Sequence, residues 1–363
     1  MRVLMTTDAV GGVWQYSVSL ARGLAEEYGC RVLLVCFGEP DAADLTDVAP
    51  GLGIDLVTLK LKLEWMPDSE GDVRLALKEV NQLARSWRAD VLHSSQFCFG
   101  RLDSYISKVV VAHSDLLSWM VCQRQGGKFD SDSMEADAGL RAYRDMVAAG
   151  LGGATAVVSP SKFMAQCVDE IYGCPSEVIY NGLWADIYKD APKSGGAIVA
   201  GRLWDEAKQA AVAVEAAGGL PVELRLIGPT EGPTGERARL PEAENARYIG
   251  PLSWKEVRAA LSASRFYLAT SSYEPFGLST LEAALSGCAI VANDIPSFRE
   301  IWGNSALYYR RNDAADLRSK LSMLLEQPEE AVRLARAARA RALERYSGQR
   351  MAQQYYRLYK TLY

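Results

Sequence analysis

The chain has 363 residues, 49% apolar and 23% charged, which is enough to bury a large core and more than one hydrophobic core usually supports. Its net charge of −5 is uneven: residues 1–185 hold 16 basic and 24 acidic side chains, and residues 186–363 hold 24 and 21. This balance excludes nucleic acid as a partner and argues against tight docking on anionic lipid, with peripheral membrane contact left open. The seven cysteines never form a C-x-x-C pair, so they read as reduced core residues and not as a disulfide framework or zinc site. No apolar stretch approaches the roughly 20 residues of a membrane span. Met1-Arg2 runs straight into Val3-Leu4-Met5 without a signal-like leader, so the expected location is cytoplasmic.

In chain order, a strand at Val3–Met5 precedes a helix over Ser17–Tyr28 and a strand at Val32–Phe37. Further strands are predicted near Val91-Leu92, Val109–Val111 and Ala156–Val158. These continuous apolar runs separated by helical stretches describe a parallel sheet covered on both faces. After Val178-Ile179-Tyr180-Asn181-Gly182 comes a polar stretch, Asp190 to Gly196, where a hinge is expected. The pattern then restarts with strands at Ala197–Ala200, Glu223–Ile227, Tyr248-Ile249, Phe266–Ala269 and Ala289–Ala292. The predicted organisation is α/β, with two doubly wound Rossmann-like domains at 1–184 and 185–345. A closing helix over 346–363 carries Met351, Tyr355, Leu358, Tyr359 and Leu362 at helical spacing, a stripe expected to pack at the domain junction.

Ligands of open parallel sheets bind beyond the carboxyl ends of the strands, where helix N-termini present N–H groups and positive dipole ends. The most specific candidate there is Ser271 to Ala283, directly after the Phe266–Ala269 strand. Pro275 suits a strand-to-helix entry, Gly277 permits close backbone approach, and Glu274 and Glu282 can each accept hydroxyl hydrogen bonds from a polyol. The plain alternative is a capping Glu274 and an ion-paired Glu282; Pro275-Phe276-Gly277-Leu278 at a strand end favours the ligand site. A second candidate follows Ala197–Ala200, where Arg202 and Lys208 would suit a diphosphate gaining charge as it leaves. A third, Gly11-Gly12-Val13-Trp14, lacks G-x-G-x-x-G but lets backbone amides approach a phosphate or sugar oxygen.

Both histidines of the chain follow predicted strands: His93 and, ahead of Ser114-Asp115, His113. A histidine at such a place is more often a hydrogen-bonded structural residue than a ligand contact; His113 is the better candidate for a substrate hydroxyl. Asp130-Ser131-Asp132 reads as loop acids and not as a metal triplet, and no metal is expected. Trp14, Phe97, Trp119 and Phe129 could stack on an acceptor, although core packing is the commoner use of such residues.

The ordered set Gly11-Gly12-Val13-Trp14, Asp90-Val91-Leu92-His93, Val111-Ala112-His113-Ser114, Ser159-Pro160-Ser161, Val178 to Gly182, Gly201-Arg202-Leu203 with Lys208, Glu274 to Leu278, and Glu282-Ala283 resembles the family 4 glycosyltransferases, which have the GT-B fold. The resemblance implies two Rossmann-like domains facing across a cleft, the final helix crossing back to the first. It implies a retaining, metal-independent transfer of a hexosyl group from a nucleotide-diphosphate sugar to a hydroxyl acceptor in glycan biosynthesis, with no cofactor. By the same resemblance Glu274 and the amides of Phe276, Gly277 and Leu278 hold the donor sugar, and Glu282 the ribose. Arg202 and Lys208 take the diphosphate with Gly12 nearby, His113 meets the transferred sugar, and Ile249 and Pro251 edge the base pocket. Acceptor contacts are expected at Trp14, His93 and Trp119. Two departures touch this pattern: Gln209 stands where glycine or asparagine often follows the lysine, and Ser94-Ser95 follows His93. The rival readings are a nucleotide-sugar 2-epimerase and a non-catalytic nucleotide-sugar binding protein.

Overall fold

The structure is a computed structural model that describes the chain apart from Val10, Ser104, residues 124–136, Asp190, Ser194 and Tyr363, with the Ala42 side chain also left aside. The Asp130-Ser131-Asp132 triplet and Phe129 therefore lie outside the described residues. The chain divides into two compact units, Met1–Gly182 together with Gly348–Tyr363, and Leu183–Ser347.

The first unit is built on a seven-stranded parallel sheet in the order β3-β2-β1-β4-β5-β6-β7. Its strands are β1 (Arg2–Asp8), β2 (Arg31–Phe37), β3 (Asp55–Leu59), β4 (Val91–Ser94), β5 (Ser107–Val111), β6 (Ala156–Ser159) and β7 (Glu177–Val178). Strands β1, β2 and β4 are buried almost throughout, as helices on both faces require. The covering helices are α1 (Val13–Tyr28), α2 (Ala42–Val48), α3 (Glu70–Ser86), α4 (Leu116–Gln123), α5 (Ala138–Gly153) and α6 (Lys162–Tyr172). Local chemistry sets their ends. Gly29 closes α1 in the left-handed region, Asp137 caps α5 through Gly139 and Leu140, and the Ser161 hydroxyl takes the Met164 N–H to start α6. Helix α5 meets the 3-10 turn Phe97–Arg101 backbone to backbone: a Cβ on Gly150 would stand 2.1 Å from the Phe97 carbonyl oxygen, and one on Gly100 1.8 Å from that of Gly150.

The second unit holds a six-stranded parallel sheet, ordered β10-β9-β8-β11-β12-β13. Its strands are β8 (Ala197–Ala200), β9 (Leu224–Ile227), β10 (Ala246–Gly250), β11 (Phe266–Ala269), β12 (Ala289–Asn293) and β13 (Leu307–Tyr309). Helices α7 (Ala210–Ala217), α8 (Trp254–Ala263), α9 (Leu278–Leu285), α10 (Pro296–Trp302), α11 (Ala314–Glu326) and α12 (Pro328–Arg345) cover it. Leu224, Leu226, Phe266, Leu268, Val291, Leu317, Leu321 and Leu324 form one buried cluster there, each such side chain contributing roughly 1.5–3 kcal/mol by leaving water.

The last helix, α13 (Gly348–Leu362), belongs to the first unit. It lies on α1, with Tyr356 stacked on Tyr28 at 4.1 Å and Tyr355 edge-on to Tyr16 at 6.2 Å. Of the predicted stripe, Met351, Tyr355 and Tyr359 are buried, with Ala352 beside them. Among the described residues no helix is long and apolar enough to cross a membrane. The reading of all seven cysteines as core residues needs correction: Cys30, Cys36, Cys98 and Cys288 are buried, whereas Cys122, Cys167 and Cys174 are partly exposed.

Candidate functional site

In the second unit the strand order reverses between β8 and β11, and a sheet of this kind opens a crevice at that reversal. The two loops that leave these strands carry Gly201–Lys208 and Thr270–Gly277. They are tied together: the Thr270 hydroxyl donates to the Lys208 carbonyl at 2.7 Å, and the Ser272 amide to the Ala207 carbonyl at 2.8 Å. Between them lies a recess lined by Gly201, Lys208, Thr270, Ser271, Glu274 and Thr280, among others.

Across this recess the Lys208 ammonium meets the Glu274 carboxylate at 2.5 Å, with side chains 18% and 13% exposed. The Ser271 hydroxyl donates to the same carboxylate oxygen at 3.2 Å. The pair is thus half-dry and fixed, yet open enough to exchange partners with a ligand. Gly277, at φ 88°, turns the chain into α9. A Cβ there would press Glu274 Cγ and the Phe298 ring, each at 3.2 Å, so glycine is required both by the backbone and by the space. Helix α9 starts directly after this turn, its Thr280 and Leu281 N–H groups both donating to the Gly277 carbonyl at 3.1 Å, so the positive end of the helix dipole lies next to the Glu274 loop.

Arg202 sits on the turn that leads to Lys208 but has its own partner: its guanidinium pairs with Asp205 at 2.9 Å and lies over the Trp204 ring. Asp205 also caps the 3-10 turn Glu206–Lys208 through the Ala207 amide. Gln209 follows at φ 49°, the left-handed region that glycine and asparagine tolerate best. The departure noted in the sequence thus occupies a backbone position that explains the usual residues.

Glu282 is buried on α9, where its Oε1 accepts from the Tyr188 hydroxyl at 3.2 Å and from the Trp254 indole N–H. These partners, 94 and 28 residues away, were not visible in the sequence. Nor was Asn293, fully buried at the end of β12, whose amide donates to the carbonyls of Thr270 and Ser271 and so fixes the loop leading to Glu274. The strand-end rule applied to Ala289–Ala292 would have found it. Phe276 is buried edge-on against Tyr346 at 5.5 Å. Ile249 and Pro251 are exposed on and after edge strand β10, two strands from β8, and are not brought to the recess.

In the first unit the order reverses between β1 and β4. Gly11, at φ 84°, and Gly12 precede α1 there, and His113 follows the next strand, β5. Two expected acceptor contacts are corrected. Trp14 is only 4% exposed and spends its indole N–H on Asp44 at 3.1 Å. His93 is fully buried, with Nε2 3.0 Å from the Tyr16 hydroxyl and Nδ1 2.6 Å from that of Tyr359, so it is one of the structural histidines that its strand position made probable. Trp119 is half-buried on α4. The His113-Ser114-Asp115 segment is anchored by Asp115, whose carboxylate accepts from Tyr172 at 2.6 Å and Tyr143 at 3.1 Å. Burial raises the Asp115 carboxyl above its ordinary value despite these donors. Among the described residues no group of three or more His, Cys, Asp or Glu is placed to share an ion.

Burial brings both imidazoles down to about 3, the neighbouring His113 adding to the effect at His93. The folded rings stay neutral where unfolded ones, with pKa about 6.5, take up protons. Each ring therefore contributes stability that is whole above about pH 6.5 and is lost as the pH falls toward 3. A His93→Gln chain is expected to lose less stability than the parent between pH 6.5 and 5, by up to about 1.4 kcal/mol per pH unit. Urea midpoints at the two pH values measure this, and equal slopes would contradict a neutral buried His93.

Comparison with known proteins agrees with this architecture. A family model described as Glycosyltransferase Family 4 matches residues 10–185, and one described as Glycosyl transferases group 1 matches residues 192–341. The chain belongs to the family 4 glycosyltransferases. A glycogen synthase of Mycobacterium tuberculosis is 35% identical over 108 residues, 29% of this chain and 26% of that protein, so the chain spans about a quarter of this curated relative's length. Among solved structures, sucrose-phosphate synthase of Thermosynechococcus elongatus superposes with a TM-score of 0.78 at 16% identity, covering 100% of this chain and 99% of that one. Anabaena HepE in complex with UDP-glucose gives 0.75 at 17% identity, with both chains fully covered. The fold is GT-B, with two parallel-sheet α/β domains.

Proposed function

We propose that the chain is a retaining glycosyltransferase that takes a nucleotide-diphosphate sugar and passes the hexose to a hydroxyl acceptor. The observation that carries this is the Lys208–Glu274 pair, held at 2.5 Å beside the N-terminus of α9 at the sheet's reversal point. A carboxylate can accept two sugar hydroxyls, and the ammonium beside it can meet the diphosphate. When the glycosidic bond breaks, negative charge grows on the departing diphosphate and positive charge on the sugar. Lys208 and Arg202 are proposed to stabilise the former and Glu274 the latter, while the amides of Phe276, Gly277 and Leu278, at the entry to α9, hold the donor sugar. Same-face attack by the acceptor oxygen then retains the anomeric configuration, with the proton passing to the leaving phosphate oxygen. Glu282 is proposed to face the ribose, where Tyr188 and Trp254 fix its carboxylate. His113 is proposed to meet a substrate hydroxyl, and no metal or cofactor is assigned a part. The UDP-glucose complex of Anabaena HepE, alike in fold, supports testing uridine donors first.

A melting-point screen of UDP-, ADP- and GDP-sugars tests the donor. A donor at 100 times its Kd is expected to stabilise the chain by about 2.7 kcal/mol, and the Lys208→Ala chain should lose most of that rise. If no nucleoside diphosphate or nucleotide sugar shifts the melting point, the reading fails.

A further inference from the structure

We propose that the C-terminal helix positions His113 through a hydrogen-bonded stack, Tyr359 to His93 to Tyr16, which makes Tyr359 a positioning residue for sugar transfer. The proposal rests on the reading of His113 as a substrate contact. His93 lies in the middle of the sheet, paired with Met5 of β1 and Val109 of β5, and it is the fixed point of the stack. A neutral imidazole has one donor and one acceptor nitrogen. With the Tyr16 hydroxyl on Nε2 at 3.0 Å and the Tyr359 hydroxyl on Nδ1 at 2.6 Å, one tyrosine must donate and the other accept, so the stack has a direction and a single ring orientation. Tyr355 braces it from the side, its ring edge-on to His93 at 5.0 Å.

The far end of the stack is the Tyr16 ring, which meets the His113 ring edge-on at 4.3 Å and 72°. The Nε2 of His113 is shielded from solvent and has no hydrogen-bond partner among the described residues. Ring packing, and not a bond at Nε2, therefore sets how His113 stands, and the plane of Tyr16 is what it packs on. Tyr359 acts on this ring from 266 residues beyond His93 in the chain. A reacting contact displaced by 1 Å can lose about 10²-fold in rate, so a looser Tyr16 should cost less than that but measurably.

The chain has two histidines, so the imidazole nitrogens of a 15N-histidine-labelled protein can be assigned from the two single-histidine variants. Tyr359→Phe removes the hydroxyl and keeps the ring. It is expected to shift both the His93 Nδ1 signal and the His113 ring signals, and to lower kcat for nucleoside diphosphate release from UDP-glucose roughly 10-fold, with KM for the donor unchanged. Tyr16→Phe, which cuts the stack on the other side of His93, should move the same His113 signals. His113 signals unmoved in both variants would overturn the stack, whatever happens to the rate. A His113→Ala chain that releases UDP at the parent rate would instead overturn the substrate role of His113, and the two failures are thereby told apart.

Discussion

Alanine at Lys208 or at Glu274 is expected to slow sugar transfer at least ~10²-fold, the scale of losing one group that meets charge formed in the transition state. The two side chains form one unit, 2.5 Å apart and mostly shielded from water. Removing either leaves the other without its counter-charge and free to turn away from where the donor would lie. The double variant should therefore be little slower than the worse single one, instead of the ~10⁴-fold that independent effects would give. Steady-state rates of the three variants, with circular dichroism to confirm folding, measure this. Full multiplication of the two losses would mean that the pair does not act together, and near-parent rates would remove both residues from the chemistry.

A large loss of stability is expected from Gly150→Ala. The added methyl carbon would stand 2.1 Å from the Phe97 carbonyl oxygen and 2.7 Å from its carbon, backbone atoms that cannot swing aside. Either α5 or the 3-10 turn Phe97–Arg101 must move, at a cost of about 3 kcal/mol or more, the upper range for overpacking. Gly152, two residues on in the same helix, is the control, since a Cβ there meets nothing within 4 Å. Gly152→Ala should be neutral or stabilise by up to about 1 kcal/mol, because alanine favours a helix over glycine. Urea unfolding of the two variants checks the contrast, and equal midpoints would refute close packing at Gly150.

How far the sequence could be read depended on whether a feature is local. Strands β8 and β11 have the bounds their apolar runs predict, because a strand buried on both faces is written as a continuous apolar run, Ala-Ile-Val-Ala in β8 and Phe-Tyr-Leu-Ala in β11. Strand β3 escaped notice: at the sheet edge none of its positions is fully buried, and Asp55 and Thr58 are exposed on either side of Leu56-Val57, so no long apolar run marks it. The three residues of β13 are too few to form a pattern. At the site, the strand-end rule picks out Glu274, Lys208 and Arg202 individually. That Lys208 pairs with Glu274, 66 residues away, while Arg202 pairs with its neighbour Asp205, depends on how loops pack and is not written in either segment. The same limit hid the tyrosines on His93 and the donors on Glu282. It also made Trp14 look available, since a tryptophan at a strand-helix turn reads alike whether its indole faces a ligand or Asp44.

The first unit is discontinuous, and this fixes an order of events on the ribosome. Its sheet and α1 emerge early, but α13, whose tyrosines close over Tyr16 and His93, emerges only after all of Leu183–Ser347 has been made. The intervening unit is contiguous and can complete its core while the earlier one still waits with an uncovered aromatic face. Contacts of such long sequence separation form slowly, so the nascent chain is most prone to aggregation in the interval before its final helix docks.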